Sequence, residues 1–480
     1  MIKSRSPILF SFFLALAMSA CQVPKRALPQ SDLSVPETYD GNHDSTNIGI
    51  TRWETFFADD ELNALIADAL RNNPDLHMAI QRIEMAQAGI LAAQGALLPS
   101  VGVDVAAGGR KYGKYTMDGV GNWDTNFSPN IDSKQKIPTG FLPDYYLGLR
   151  SSWEVDLWGK LKLQRQAAYN RFVASEHGRN LIVTGLIAEI AREYYHLLTL
   201  DSELAIMRYN IDQQTKARET VENLKQAGRA NELAVNQFEA QLLNTKGIAI
   251  KVSAEIVATE NRLNNLVGRF PQPIHRGEPL RLRTFPKTIA AGIPAQMLNR
   301  RPDVLMARNE LLAAHSELQA ADLAFLPSLN ISADVGLQAF KGGLIFNPGS
   351  LAYGLLGGLS MPVLNRKGLK ANQKVREAET KEALLQYNKI VLSGFNEIHA
   401  DLNRLNKLSE MYHLKTQEVA QLRNAVLVSH DLFVVGAANY LELITAQNSV
   451  ILAEMDLISI REQQFLALLQ LYRSLGGGWQ

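Results

Sequence analysis

The sequence predicts a mixed fold of long α-helices joined to short membrane-type β-strands. Each chain supplies four strands, so three chains would close a twelve-stranded β-barrel continuous with a barrel of helices. Three observations carry this. The chain is written twice, its prolines avoid two long segments that carry heptads, and between the helical pieces the hydrophobic period falls to two.

The duplication comes first. Leu70 to Ala79 reads LRNNPDLHMA and Leu298 to Ala307 reads LNRRPDVLMA, 228 positions later. The same offset carries Leu98-Pro99-Ser100 onto Leu326-Pro327-Ser328. Beyond that it shortens to 208, mapping Glu189 onto Glu397, Gly228 onto Gly436, Leu233 onto Leu441 and Gly268 onto Gly476. The 20-residue difference falls between Arg110 and Leu142, where one half holds the longer loop. Repeated units bury their apolar faces against one another. The expected organisation is a signal segment at 1–20, an extended N-terminal segment at 21–60, repeat 1 at 61–268, a proline-rich link at 269–295 and repeat 2 at 296–480.

No proline lies between Pro143 and Pro271, and none follows Pro362. A helix interior excludes proline at ~3 kcal/mol, so both arms can be mostly helical. Leu157 to Ala227 alone would span ~100 Å as one helix. Val235, Leu242, Ala249, Ile256 and Leu263 recur every seven residues, with Leu243, Ile250 and Val257 beside them. In the second repeat Ile444, Ile451, Ile458, Phe465 and Tyr472 do the same, with Leu443, Val450, Leu457 and Leu471 beside them, broken by Gln464. A seven-residue period drives left-handed supercoiling. Two adjacent seams suit a helix with neighbours on both sides, as in a ring; a thick soluble bundle would show the same stripe.

The strands follow from alternation. Tyr145, Leu147, Leu149, Ser151, Trp153 and Val155 alternate with polar or small residues. So do Leu329 to Ala339 and Leu351 to Met361, and Val101, Val103 and Val105 begin a weaker fourth run. The expected pairs are about 98–110 with 143–156 and about 327–340 with 351–363. A tilted bilayer-crossing strand needs ~9–11 residues, and an apolar face backed by a polar one fits a barrel with lipid outside and water inside. A half-buried soluble sheet is the alternative. The connections at 110–142 and 340–350 are rich in Gly, Asn and Ser, as the outer loops of such barrels are. Four strands cannot close, and about eight leave a filled interior. Lipid does not tolerate open edges. Three chains with cyclic symmetry are therefore expected.

At the start, Lys3 and Arg5 precede the apolar run Ile8 to Met18 and the small pair Ser19-Ala20. This is a secretory signal, too short to span as a helix. No later stretch reads as long and apolar enough to do so either. Cys21 is the only cysteine. A lone exported thiol has no partner in its own chain, so Cys21 reads as a lipobox cysteine, with an S-diacylglycerol and an N-acyl group at the mature N-terminus. Met18 stands where Leu is usual, and Gln22 is compatible with outer-membrane sorting.

Taken together, the lipobox, the paired LRNNPDL and LNRRPDV segments, Trp153 to Gly159 (WEVDLWG) and Leu471 to Trp479 (LYRSLGGGW) resemble the outer membrane factor family (TolC/OprM-like), in its lipidated NodT-like branch. The resemblance implies a homotrimeric outer-membrane channel with a large periplasmic helical portion. It implies a passive exit duct in a tripartite efflux system, with a periplasmic membrane-fusion adaptor and an inner-membrane transporter of the RND type as partners. A type I secretion duct is the alternative within the family; a lipid-anchored coiled-coil lipoprotein without a pore is the alternative outside it. The matching turns imply an adaptor-docking tip at Gly228, Asn231, Leu233, Gly436, Asn439 and Leu441. The matching constriction implies Leu441, Glu442, Thr445 and Asn448. Thr445 stands where family members commonly carry an acid, so a carboxylate ring is in doubt and Leu441 is the apolar candidate.

The remaining chemistry is an inventory of absences. Formal net charge is +1 and the pI about 7.8, with no basic stripe for nucleic acid. No P-loop, dinucleotide fingerprint, HExxH or nucleophile elbow is present. His196, His315 and His399 read as packing or surface residues. Neither an enzyme nor a bound cofactor or metal is expected.

Overall fold

The computed structural model describes residues 26–39, 46–286, 290–364 and 366–479. The signal segment and Cys21 lie outside the described residues. The chain divides into two compact units. One holds residues 26–30, Met85–Phe172 and Glu310–Ala383; the other holds 31–84, Val173–Asn309 and residues from Leu384 on. Neither coincides with a sequence repeat, because each takes part of both. Half a duplication has no second layer of its own to bury against.

The elements repeat as the offsets require. Helices α1 (Trp53–Phe57), α2 (Asp60–Asn72) and α3 (Pro74–Gly95) lead to strand β1 (Ser100–Arg110). A short α4 (Met117–Thr125) lies in the following loop, before β2 (Leu142–Val155) and the long helices α5 (Lys160–Gln226) and α6 (Glu232–Val267). After the link come α7 (Met297–Arg300), α8 (Pro302–Leu323), β3 (Ser328–Ala339), β4 (Leu351–Ser360), α9 (Lys367–Val434) and α10 (Tyr440–Ser474). Both ends of α3 and α8 are 228 residues apart. At 67 residues α5 needs ~100 Å as one helix.

In the first unit the strands form one antiparallel sheet in the order β1-β2-β3-β4. The WEVDLWG motif ties its base together. The Trp153 indole donates to the Leu97 carbonyl at 3.0 Å and the Trp158 indole to the Pro327 carbonyl at 2.7 Å. Pro327 belongs to the second LPS turn, and Leu97 immediately precedes the first. The Asp156 carboxylate accepts from the amides of Leu161 and Lys162, each at 3.0 Å, satisfying orphan donors at the start of α5. The loop after β1, expected to be plain, contains α4. The Thr116 hydroxyl accepts the Gly119 amide at 3.1 Å, and the Asn126 side chain both donates to and accepts from the Ile137 backbone.

In the second unit, one core cluster packs Leu62 and Ile66 of α2 against Ile190, Tyr194 and Leu197 of α5, Leu263 of α6 and Phe465 of α10. A second packs Met297 and Val304 against Ile398 and Leu405 of α9 and Leu471 of α10. The LRNNPD and LNRRPD segments meet the helix ends at equivalent points. The Gly268 and Gly476 amides donate to Asn265 and Arg473, and the next amides to Asn264 and Tyr472, closing Schellman caps with φ of 79° and 84°. A Cβ on Gly268 would lie 2.5 Å from the Asn72 carbonyl oxygen, and one on Gly476 would lie 2.8 Å from that of Arg300. Residues 72 and 300 are themselves 228 apart.

One expectation needs correction. By length and composition α10 is apolar enough to cross a membrane. Its two heptad seams leave few positions for charge. Here those seams are spent on protein: Leu443, Val450, Ile451, Phe465, Leu471 and Tyr472 are all buried, and so are the polar Arg461 and Gln464.

Gly268→Ala should lower the thermal midpoint of the folded protein more than Gly228→Ala. Both introduce left-handed strain of ~1–2 kcal/mol, but only at 268 does the new Cβ meet backbone; nothing lies within 4 Å at 228. Equal shifts in a thermal melt would show that the close approach carries no energy.

Candidate channel wall and helical turns

The register sorts the sheet cleanly. One face carries Val101, Val103 and Val105, then Leu147, Leu149 and Trp153, then Ile331, Val335 and Leu337, then Tyr353, Leu355 and Leu359, as cross-strand neighbours. In the single chain much of this face is bare: Val105 is 77% exposed, Tyr353 81% and Leu355 79%. A continuous apolar face of this size does not stay in water.

The opposite face is small and polar. Asp104, Arg150 and Asp334 line up across three strands, with Arg150 and Asp104 paired at 3.2 Å. The Tyr146 ring lies against Gly148 and Gly336, where a Cβ would come within 2.6 Å of its hydroxyl and 3.0 Å of its Cζ. The Arg150 guanidinium sits 4.8 Å from that ring's centre. Glycine here lets an aromatic ring lie along the wall rather than project from it. Leu356 stands on this polar face, exposed, and nothing in the structure explains it. The outer edges of β1 and β4 pair with no strand among the described residues.

The two glycine turns belong to the second unit. After α5, Gly228 (φ 71°) donates to Lys225 at 2.9 Å and Arg229 to Leu224 at 2.8 Å. After α9, Gly436 (φ 81°) donates to Phe433 at 3.0 Å and Ala437 to Leu432 at 2.8 Å. Asn231 then caps α6 by accepting the Ala234 amide, and Asn439 caps α10 by accepting those of Leu441 and Glu442. The turns adjoin: the Arg229 guanidinium donates to the Val434 carbonyl at 3.3 Å. Beneath them Val221, Val235, Phe238 and Leu443 form a small core. Gly228, Asn231, Leu233, Gly436, Asn439 and Leu441 are all exposed, so the structure presents the six predicted residues on adjoining turns.

Leu441, Thr445 and Asn448 follow at helical spacing on one face of α10, joined by the exposed Leu452. Glu442 is exposed, one position off that face. Asn448 is tied to Gln241 of α6 by its side-chain amide.

The seams of α6 and α10 differ. On α6, Val235, Leu242 and Leu263 are buried, while Leu243, Ile250 and Val257 are 56%, 72% and 54% exposed. The sequence pairs these seams as equals; the structure leaves one of them open.

The histidines have structural partners. His196 bonds Glu462 through Nδ1 at 2.9 Å, and that carboxylate holds the imidazole above its ordinary pKa. His399 stacks on Phe395 with Nδ1 3.2 Å from the Tyr39 carbonyl. Burial pushes His315 down. Among the described residues no three His, Cys, Asp or Glu side chains are grouped to hold a metal. Sequence reading missed the two tryptophan indoles and the glycine contacts at 72 and 300. The matched offsets place the two glycine contacts at equivalent points without announcing the contacts themselves, and the indole acceptors at 97 and 327 do not correspond.

The profile of the outer membrane efflux protein family matches residues 65–269 and 293–477. The chain is 29% identical over 442 residues to the pyoverdine export outer membrane protein OpmQ of Pseudomonas aeruginosa, covering 92% of this chain and 90% of that one. It is 24% identical over 478 residues to the cation efflux system protein CusC of Escherichia coli K12, covering 98% and 99%. Its fold superimposes on the open-state MtrE outer membrane channel of Neisseria gonorrhoeae with a TM-score of 0.82 at 22% identity, covering 96% of this chain and 98% of that one. The chain belongs to the outer membrane efflux protein family: it is an outer-membrane channel component of an efflux system and not an enzyme.

Proposed function

We propose that this chain works as a homotrimer, in which three four-stranded sheets close a twelve-stranded barrel and the helices form a periplasmic conduit. The single observation that carries this is the sheet itself: apolar on one exposed face, polar on the other, with two unpaired edges. Backbone donors and acceptors on those edges need partners inside lipid. A second copy's β4 against β1 supplies them, and a third copy closes the ring. The open α6 seam at Leu243, Ile250 and Val257 supports the same assembly, since an exposed heptad stripe fits a neighbouring helix.

The chain carries no visible energy source, so the duct is passive and its direction comes from partners. We assign adaptor contact to the exposed turns at Gly228–Leu233 and Gly436–Leu441, and transport to an inner-membrane pump of the RND type. Leu441 with Thr445 and Asn448 forms the narrowest apolar-to-polar stretch in this reading, without an acidic ring at Thr445. The names of related proteins range over cations, pyoverdine and toluene. A duct shared by such different cargoes leaves selection to its partners.

We assign lipidation to Cys21, which lies five residues before Arg26, the first described residue. Arg26 pairs with Asp322 at 2.8 Å, near the end of α8 and six residues before β3 begins.

Ile250→Glu places a charge in the open seam. It is expected to convert trimer to smaller species in sedimentation experiments and to abolish single-channel conductance in planar bilayers. A trimer of unchanged mass and conductance would reject the seam; a wild-type protein without conductance would reject the duct. Cys21→Ser should lose metabolically incorporated palmitate while the folded β signal persists. Label retained in that variant places the lipid elsewhere. Gly436→Pro cannot adopt the +81° φ of the turn. It should leave the trimer assembled but weaken complementation of a channel-deletion strain in a drug-susceptibility assay, and full complementation would remove the turn from the docking role.

A further inference from the structure

The second unit contains a cavity of about 1110 Å³, apart from the glycine turns and the constriction residues described above. Helices α5, α9 and α10 and the link residues 276–281 line it. Leu198, Ile206, Leu280, Val450 and Ile458 give it an apolar wall. Five cationic side chains but only two carboxylates face it. Both carboxylates are taken: Asp201 pairs with Arg276 at 3.0 Å and Glu454 with Arg423 at 2.7 Å.

Arg461 lies within this lining and is buried. The two buried arginines of the described residues differ sharply. Arg301 has Asp303 at 2.8 Å and Glu397 at 2.9 Å. Arg461 pairs with no carboxylate among the described residues. It donates to the Gln464 side chain at 3.0 Å and to the Arg283 carbonyl, and lies 5.0 Å from the ring centres of both Tyr412 and Phe465. Its Nε–H has no acceptor. A buried guanidinium without a counter-charge is expensive to keep.

The far end of the cavity repeats the deficit with neutral groups. Gln214 is 1% exposed, and neither its amide nitrogen nor its oxygen has a partner. Gln447 is buried with its Oε1 unpartnered. Arg461 and Gln447 are fourteen residues apart on α10, or ~21 Å along the axis. The duplication fails at all three polar positions: Ser253, Leu422 and Glu239 stand at the matching places.

We propose that this cavity binds an anionic amphiphile, its acid group on Arg461 and its apolar chain along the wall toward Gln214 and Gln447. Arg281, exposed at the lining and without a carboxylate partner among the described residues, attracts the head group from solvent. One chain supplies every residue, so the site does not depend on trimer closure.

The test uses the full-length protein in amphipol and sodium dodecanoate as the probe, followed by isothermal titration calorimetry. Dodecyltrimethylammonium, with the same chain and the opposite charge, is the control. Saturable binding of dodecanoate at one site per chain is expected, about tenfold weaker in Arg461→Met and largely restored in Arg461→Lys. The cation should partition without saturating. Absence of saturable dodecanoate binding, an affinity unchanged in Arg461→Met, or equal saturable binding of the cation would each overturn the proposal. Should Arg461→Met fail to fold by circular dichroism, Arg281→Met decides: severalfold weaker binding supports the site, and unchanged affinity overturns it. Sizing the same samples separates this outcome from failure of the trimer.

Discussion

Unpaired backbone in a bilayer is the constraint on which the rest depends. Each unsatisfied peptide group in hydrocarbon costs several kcal/mol, and a strand at the edge of a sheet presents a row of them. This chain makes four strands, pairs three interfaces and leaves the outer edges of β1 and β4 open. Soluble proteins blunt such edges with charge, bulges or proline. Here the one such device near a strand centre is Asp104 of β1, which is tied to Arg150 of β2 on the polar face, while β4 holds neither charge nor proline; both strands keep their apolar residues Val101, Val103, Val105, Tyr353 and Leu355 exposed. Edges left so ready to pair are consistent with an edge that pairs in the working assembly.

Duplication is how one chain meets that constraint economically. Each repeat contributes one hairpin, so β2 and β3 meet at the internal pseudo-symmetric junction; in the proposed trimer β1 and β4 of neighbouring chains repeat the same kind of junction. The helical part follows the same logic. The Schellman caps at Gly268 and Gly476 press on residues 72 and 300, fixing in both halves where the long helices end against the short ones. Trp153 and Trp158 tie the residue before the first LPS turn and the second turn itself to a single segment. Small residues and indole donors at these points set the spacing of two halves that share no covalent link there.

Much of this was legible beforehand because periodicity is a physical signal. Alternation at Leu147, Leu149 and Trp153 marked a strand; heptads at Val235 and Leu242 marked a buried helical seam; Gly228 and Gly436 marked turns because only glycine takes a positive φ cheaply. Contacts between distant segments were not legible in the same way. Nothing in LRNNPD says that it will meet Gly268, and the composition of 111–141 concealed α4, whose start depends on one hydroxyl at Thr116. Likewise the apolar richness of α10 was read as ordinary heptad content. It is enough for a membrane span, and only packing around Arg461 and Gln464 tells the two apart. Docking and constriction residues were found through resemblance, since a capped turn looks the same whether or not another protein touches it.

The asymmetry between α6 and α10 carries the last step. Equal sequences of seams would, in an isolated two-fold bundle, be equally covered. Instead α10 buries Leu443, Val450, Ile451 and Phe465 within its own chain, while α6 buries one seam and leaves Leu243, Ile250 and Val257 outward. On α9 Leu414 and Val428, two heptads apart with Gln421 between them, are exposed as well. A ring of identical chains needs such surfaces: apolar stripes that a neighbour rather than the chain itself can cover. A self-contained bundle would gain ~25 cal/mol per Å² by covering those side chains internally. That it does not, while the sheet leaves two edges unpaired, leaves strands and helices incomplete in the same sense, and in the proposed trimer the same neighbours complete both.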